Sequence, residues 1–313
     1  MSRQTSRAWR GLWWLLVLLV AGLGLAVWLR FAPSRLEPRY EGRRLGQWLH
    51  EHPNDYRPVV QAVGTNALPF LLTELQITDP AWLKWAEDAM GEFGPFWEPA
   101  RSRRYHARLA LQILDTNALP ALLNAVFDQD IHLAEGDLGY EAAFALTWLD
   151  SPTAKETIQQ KLATTMRSPD AATRYNACTV ISVGNRCNAN NAAQLAVLTR
   201  ASEPSVRAAA MNAAQFYNQD ESVLLPAVIE RLNDEHAIVR LLAAVALKGR
   251  GTNAVAALPA LKAALAAEPS RPRDADDNRT SAPDSASVCA DMQQAIRAIE
   301  NNQEQTAAHR KTK

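Results

Sequence analysis

Apolar positions along most of this chain fall on single helical faces, and the faces repeat. Val206, Ala209, Ala210 and Ala213 have the i, i+3, i+4, i+7 spacing of one face of an α-helix. A step of 33 residues carries them onto Val239, Leu242, Ala243 and Ala246. The next helix keeps the same register: Leu225, Val228 and Leu232 map onto Leu258, Leu261 and Leu265. Arg174, Arg207 and Arg240 stand in the same frame. A register shared by two successive helices predicts tandem helix pairs, each burying its apolar face against the next.

Earlier units keep the second helix with looser spacing. Gly64-Thr65-Asn66-Ala67-Leu68-Pro69 recurs as Asp115-Thr116-Asn117-Ala118-Leu119-Pro120, and Gly251-Thr252-Asn253-Ala254 precedes Leu258-Pro259. Gly64 and Gly251 suit a left-handed helix end, Asn suits the cap of the next helix, and Pro suits its first turn. Pro226 is placed in the same way, whereas the units Glu141–Met166 and Ala171–Ala201 are expected to lack that Pro. The interval from Thr65 to Thr116 exceeds one repeat; the surplus is an insertion over about 79–104 that carries Trp82, Trp85, Phe96 and Trp97. Residues 57–268 form the repeats. A Pro-, Asp- and Ser-rich stretch over 269–287 reads as a disordered linker, 288–301 as a terminal capping helix and 302–313 as a polar tail.

The N-terminal 30 residues follow a different pattern. Gly11 to Leu29 is free of charge, and 19 residues at about 1.5 Å each span about 28 Å, the hydrocarbon thickness of a bilayer. Arg10 and Arg30 bracket the stretch, and Trp9, Trp13, Trp14 and Trp28 lie near its ends. A cleaved secretory signal is the alternative, but Val27-Trp28-Leu29-Arg30 is a poor cleavage site. The chain is therefore expected to be a single-pass protein of a bacterial inner membrane, anchored through Gly11–Leu29. Residues 31–56 form a juxtamembrane segment with a first amphipathic helix. Orientation is nearly balanced: three Arg precede the span and five follow it, with a slight lean to an N-terminus in the cytoplasm and repeats outside.

Charge sharpens this division. The 313 residues carry 33 basic and 33 acidic side chains. Residues 1–50 hold eight Arg against two Glu, leaving 25 basic and 31 acidic groups in the rest. A net-acidic body argues against nucleic-acid binding, which rests on phosphate neutralisation. Three Cys exclude a disulfide scaffold, and Cys178 and Cys187 are the pair whose bridging the spacing leaves open.

With Val-Arg near the start of the first helix (Val206-Arg207, Val239-Arg240) and Leu-Pro opening the second, the units resemble HEAT repeats, more narrowly those of the phycocyanobilin-lyase group. The stretch Glu37–Leu49, with Gly64-Thr65-Asn66-Ala67 and the insertion before Arg104, is similar to uncharacterised bacterial HEAT-repeat proteins with an N-terminal anchor. The resemblance covers roughly residues 37–300 by the repeat criterion. It implies an all-α fold: a right-handed α-solenoid of HEAT-like helix pairs preceded by one transmembrane helix, a non-catalytic scaffold that binds other proteins. An enzyme or enzyme auxiliary of the bilin-lyase type is the alternative it allows, with nucleic-acid binding a third.

Candidate chemistry is sparse. Trp82, Trp85, Phe96 and Trp97 offer aromatic anchors for a protein partner, or a small core beneath the insertion. Arg174, Arg207 and Arg240 form an aligned ladder, read here as structural, with Asp170–Arg174 and Glu203–Arg207 as i, i+4 pairs. His50-Glu51-His52 does not share a helical face, and only one His-Glu step is present, against the several that a di-iron HEAT-like hydroxylase distributes over its repeats. Asp128-Gln129-Asp130 starts like a calcium loop, but Leu133 stands where that loop needs Gly. No metal, cofactor or catalytic residue is expected.

Overall fold

In a computed structural model, the structure describes residues 37–51, 55–79, 99–127, 137–184, 189–216, 221–271 and 283–311. Among the described residues the fold is all-α apart from one small hairpin. Arg39–Tyr40 (β1) pairs antiparallel with Arg43–Arg44 (β2). Glu41 and Gly42 between them both have positive φ, as a tight primed hairpin turn requires. Trp48 donates its indole N–H to the Tyr40 carbonyl and fastens the hairpin to α1, Leu45–Glu51.

The helices that follow are α2 (Arg57–Val63), α3 (Leu68–Leu75), α4 (Ala100–Leu114), α5 (Leu119–Phe127), α6 (Leu138–Leu146), α7 (Pro152–Thr165) and α8 (Ala171–Val183). Then come α9 (Ala189–Leu198), α10 (Pro204–Ala214), α11 (Glu221–Arg231), α12 (Ala237–Lys248), α13 (Leu258–Ala267) and α14 (Ser285–Lys311). Their packing follows one rule. The first helices of the units touch in series, α4 on α6, α6 on α8, α8 on α10, α10 on α12 and α12 on α14. Each second helix packs on the first helix of the following unit: α3 on α4, α5 on α6, α7 on α8, α9 on α10, α11 on α12 and α13 on α14. The side chains that repeat by 33, among them Val206, Ala210, Ala213, Val239, Ala243 and Ala246, are fully buried along the first row. Small residues there let backbones approach closely, and one apolar core runs from Leu45 to Ile299.

Helix starts follow familiar rules. Ser151 caps α7 by accepting from the Ala154 N–H, and Asp170 caps α8 by accepting from Thr173. Pro lies in the first turn of α2, α3, α7, α10 and α13, where the missing N–H costs no intrahelical bond. Pro152 thus supplies the proline that the unit containing Glu141–Met166 was expected to lack. Pro226 departs in the other direction: α11 begins at Glu221, so Pro226 lies inside the helix.

The Gly-Thr-Asn-Ala segments also differ from expectation. Gly64 and Gly251 have φ of 61° and 54°, as a sharp helix end needs. The residues after them form 3-10 turns that run directly into α3 and α13, with no side-chain cap from Asn. Asp115 occupies the same corner with φ 45°, and one of its carboxylate oxygens is buried with no hydrogen bond among the described residues. Asp115→Gly is expected to raise stability by about 1 kcal/mol by relieving this strain and the unpartnered oxygen. Thermal unfolding of the two proteins checks the sign.

The insertion is shorter than the sequence suggests. Residues 100–104 belong to α4, because the Asp79 carboxylate accepts from the Ala100 N–H at 2.9 and 3.1 Å and starts the helix there. The terminal helix is longer. Asp284 accepts from the Ser287 N–H and caps it, and α14 runs to Lys311 in place of a helix ending near Glu300 and a frayed tail. No single described helix is long and apolar enough to cross a membrane; Gly11–Leu29 lies outside the described residues.

Candidate binding surfaces

Of the residues singled out in the sequence, Trp82, Trp85, Phe96 and Trp97 lie outside the described residues, as do Cys187, His52 and Asp128–His132. The stem from which the aromatic insertion departs is described. Asp79 clasps Ala100 at its base, Arg103 makes a two-pronged pair with Glu74 at 2.6 and 2.7 Å, and Arg104 donates to the Ile77 carbonyl. These contacts hold the two ends of the insertion together.

One turn into α4 begins a row of aromatic rings. Tyr105, 48% exposed, meets Trp148 edge-on, with centroids 5.6 Å apart. Trp148 in turn meets Phe144 at 6.2 Å, and the Arg108 guanidinium lies over the Phe144 ring at 4.3 Å. Arg108 is fixed there by an ion pair to buried Glu141, which also lies 3.8 Å from Arg104. Tyr105 also lines a cleft of about 400 Å³, together with Tyr56, His106, Leu109 and Gln112. Burial and the neighbouring Tyr105 hold the Tyr56 hydroxyl above its ordinary pKa, so it stays a neutral donor. The result is a half-exposed aromatic ridge with a cation behind it and hydrogen-bonding groups at its foot. Such surfaces anchor protein partners, since stiff rings lose little entropy on being covered. The sequence does carry a signal for this ridge: Tyr140, Phe144 and Trp148 are four apart and share a face of α6 and its C-terminal turn.

The arginine ladder is built differently from the expected i, i+4 pairs. Each guanidinium reaches into the next unit. Arg207 forks onto Asp234 through Nε and Nη2 at 2.9 and 3.0 Å, and Arg240 forks onto Glu268 at 2.8 and 2.6 Å. Arg174 bonds Glu203 at 2.8 Å through Nη2 alone. In all three, Nη1 donates to the carbonyls five and six residues back, as with Ser202 and Ala201 for Arg207. Each Arg therefore staples its own unit's entry turn to the following one. Asp170 instead caps α8, and Glu203 belongs to Arg174 of the helix before. The partner acids become more buried along the chain, with side chains 38%, 2% and 0% exposed at Glu203, Asp234 and Glu268.

Asp234, Glu235 and His236 bring ligand atoms within 4.8 Å of one another, a geometry that suits a small cation. The same atoms already face a cation: Arg207 donates to Asp234 and Glu235 and lies 3.1 Å from His236 Nδ1, while Arg231 takes the other side of Asp234. Burial works against the Arg207 charge, but the bonds to Asp234 and Glu235 outweigh it and raise its pKa. Cys178 is fully buried, and burial, with Glu268 nearby, pushes the Cys289 thiol up.

The exposed end of the ladder titrates in an accessible range. The Glu203 carboxyl is held below its ordinary 4.5 by its own backbone N–H and by Arg174, and Asp170 below 3.8 by Thr173. A depressed folded pKa stabilises the fold above the ordinary value and ceases to do so as the pH falls through the depressed one. Stability is therefore expected to decline below about pH 4, and Glu203→Gln is expected to flatten part of that decline in an acid melting series.

Comparison with known protein families and with curated proteins finds no match for this chain.

Proposed function

We propose that this chain is a membrane-anchored scaffold that binds a protein partner and does no chemistry of its own. In this reading Gly11–Leu29 is the anchor, and the serial helix pairs form a right-handed, HEAT-like α-solenoid. The observation that carries the binding role is the half-exposed ridge of Tyr105, Trp148 and Phe144 braced by Arg108. Its rings stand on helices of the continuous row, so a covered ridge would be held rigidly. The serial packing supports the solenoid, because each unit buries its apolar face only against its neighbours. The charge-free Gly11–Leu29 stretch supports the anchor.

The test has two arms. A photo-crosslinking side chain placed at Tyr105 in cells should capture a discrete partner, and Phe144→Ala with Trp148→Ala should weaken that capture at least about tenfold while leaving helicity intact. Loss of helicity in that double variant would make the ridge part of the core instead. Protease treatment of intact spheroplasts, following a C-terminal tag, places the scaffold: digestion before lysis puts it outside the cytoplasm.

A further inference from the structure

The three ladder arginines are alike in sequence and in their carbonyl contacts, but Arg174 lacks a feature that the other two share. At Arg207 and Arg240 the Nε and Nη2 edge of the guanidinium grips one carboxylate with two parallel bonds. At Arg174 only Nη2 is engaged, by one oxygen of half-exposed Glu203, and Nε donates to no described residue. The register explains the difference. The step of 33 that carries Arg174 to Arg207 carries Ala201 to Asp234, and the two turns have the same course into α10 and α12. Arg174 thus has a methyl group where Arg207 has its carboxylate.

The missing carboxylate is replaced by a groove. About 530 Å³ lies open beside Arg174, lined by Ala201, Ser202, Met166, Leu198 and Val197. Val197 is 69% exposed, the most exposed large apolar side chain described, and the place it holds is filled by Glu230 one unit on. Arg167 and Arg200 stand at the rim. Arg200 is paired with Glu230, so Arg167 and the unused edge of Arg174 leave the mouth of the groove positive, with Glu203 as the one lining acid among the described residues. The groove therefore combines an apolar floor with a guanidinium edge presented for a carboxylate, in a volume that suits two or three side chains.

Resting on the scaffold reading above, we propose that this groove receives a partner segment in which an acidic side chain stands next to an apolar one. The carboxylate forks onto Arg174 as Asp234 does onto Arg207, and the apolar side chain covers Val197 and Met166.

The probe is a fluorescein-labelled, end-blocked peptide, Gly-Leu-Asp-Val-Gly, titrated with the full-length chain in detergent and followed by anisotropy. Its Asn counterpart is the control. The Asp peptide is expected to bind at least about tenfold more tightly than the Asn peptide, since a forked pair is lost in the latter. Ala201→Asp supplies the carboxylate from within, and is expected to abolish that preference while raising the melting temperature. Arg174→Gln is expected to abolish it without that rise. Equal binding of the two peptides, absence of saturable binding, or an unchanged preference in Ala201→Asp would overturn the proposal. Self-association that Ala201→Asp removes would also overturn it, and would name a second copy as the occupant. Capture at Tyr105 is read separately: if it persists while the peptide fails, the scaffold reading stands and this groove has another role.

Discussion

Arg240→Ala is expected to be the most damaging single change in the ladder. It removes the forked bonds to Glu268 and leaves a carboxylate whose side chain is 0% exposed without its main counter-charge. Breaking a buried pair from one side costs about 3–5 kcal/mol, because the remaining ion keeps its desolvation penalty. Arg271 lies 3.7 Å from Glu268 and softens the loss without replacing a fork. The carbonyls of Asp234 and Glu235 also lose their donor. Removing both charges, as Arg240→Met with Glu268→Leu, is expected to cost less than Arg240→Ala alone, though those two carbonyls keep it from full recovery. Urea midpoints at constant slope would rank the three proteins. A double variant as unstable as the single one would mean that the carbonyl bonds, not the charges, dominate the staple.

Leu146→Ala is the second large effect expected, and it tests the packing rule. Leu146 is buried at the end of α6, the helix that touches α3, α4, α5 and α8. Truncation of such a residue costs about 2–5 kcal/mol, with the higher figures where neighbours cannot close the cavity. The surroundings of α6 are held by Glu141 with Arg104 and Arg108, so collapse is resisted and the upper half of that range is expected. Amide exchange should quicken on α5, α6 and α8 while α12 and α14 stay protected, because the rows transmit contacts only from neighbour to neighbour. Uniform loss of protection along the chain would show that the rows unfold as one unit.

Periodicity and local chemistry disclosed much of this fold, and they fail where a partner is remote. The 33-residue step located α10 to α13 because their apolar positions repeat, with Val206, Ala210, Ala213 and Val228 and their counterparts Val239, Ala243, Ala246 and Leu261 all buried. The staples were not legible in the same way. Asp170 and Glu203 stand four residues before an Arg, and nothing in the chain says that the acid 29 residues on will win. The reason lies in the turn: Asp170 is already engaged as the cap of α8, and each guanidinium is drawn across by the carbonyls behind it. The hairpin at Arg39–Arg44 is not legible in the sequence because two-residue strands have no periodicity to read. The ridge was missed because Tyr105 and Trp148 are 43 residues apart and meet only when α4 and α6 pack. Aromatic density pointed instead to the insertion.

The clasp at the base of that insertion has a consequence for how such a chain can change. Asp79 and Ala100 are bonded to each other, and Arg103 and Arg104 tie the same neck to Glu74 and Ile77. The ends of the inserted segment are thus held by the framework, and the segment need not supply its own closure. Lengthening a loop whose ends are already fixed adds only about 0.6 kcal/mol per doubling. The neck therefore works as a socket: segments of different length and composition could be exchanged there with little effect on the register of α3 against α4. A lineage, or an engineer, could alter the segment held in this neck and leave the helix rows untouched.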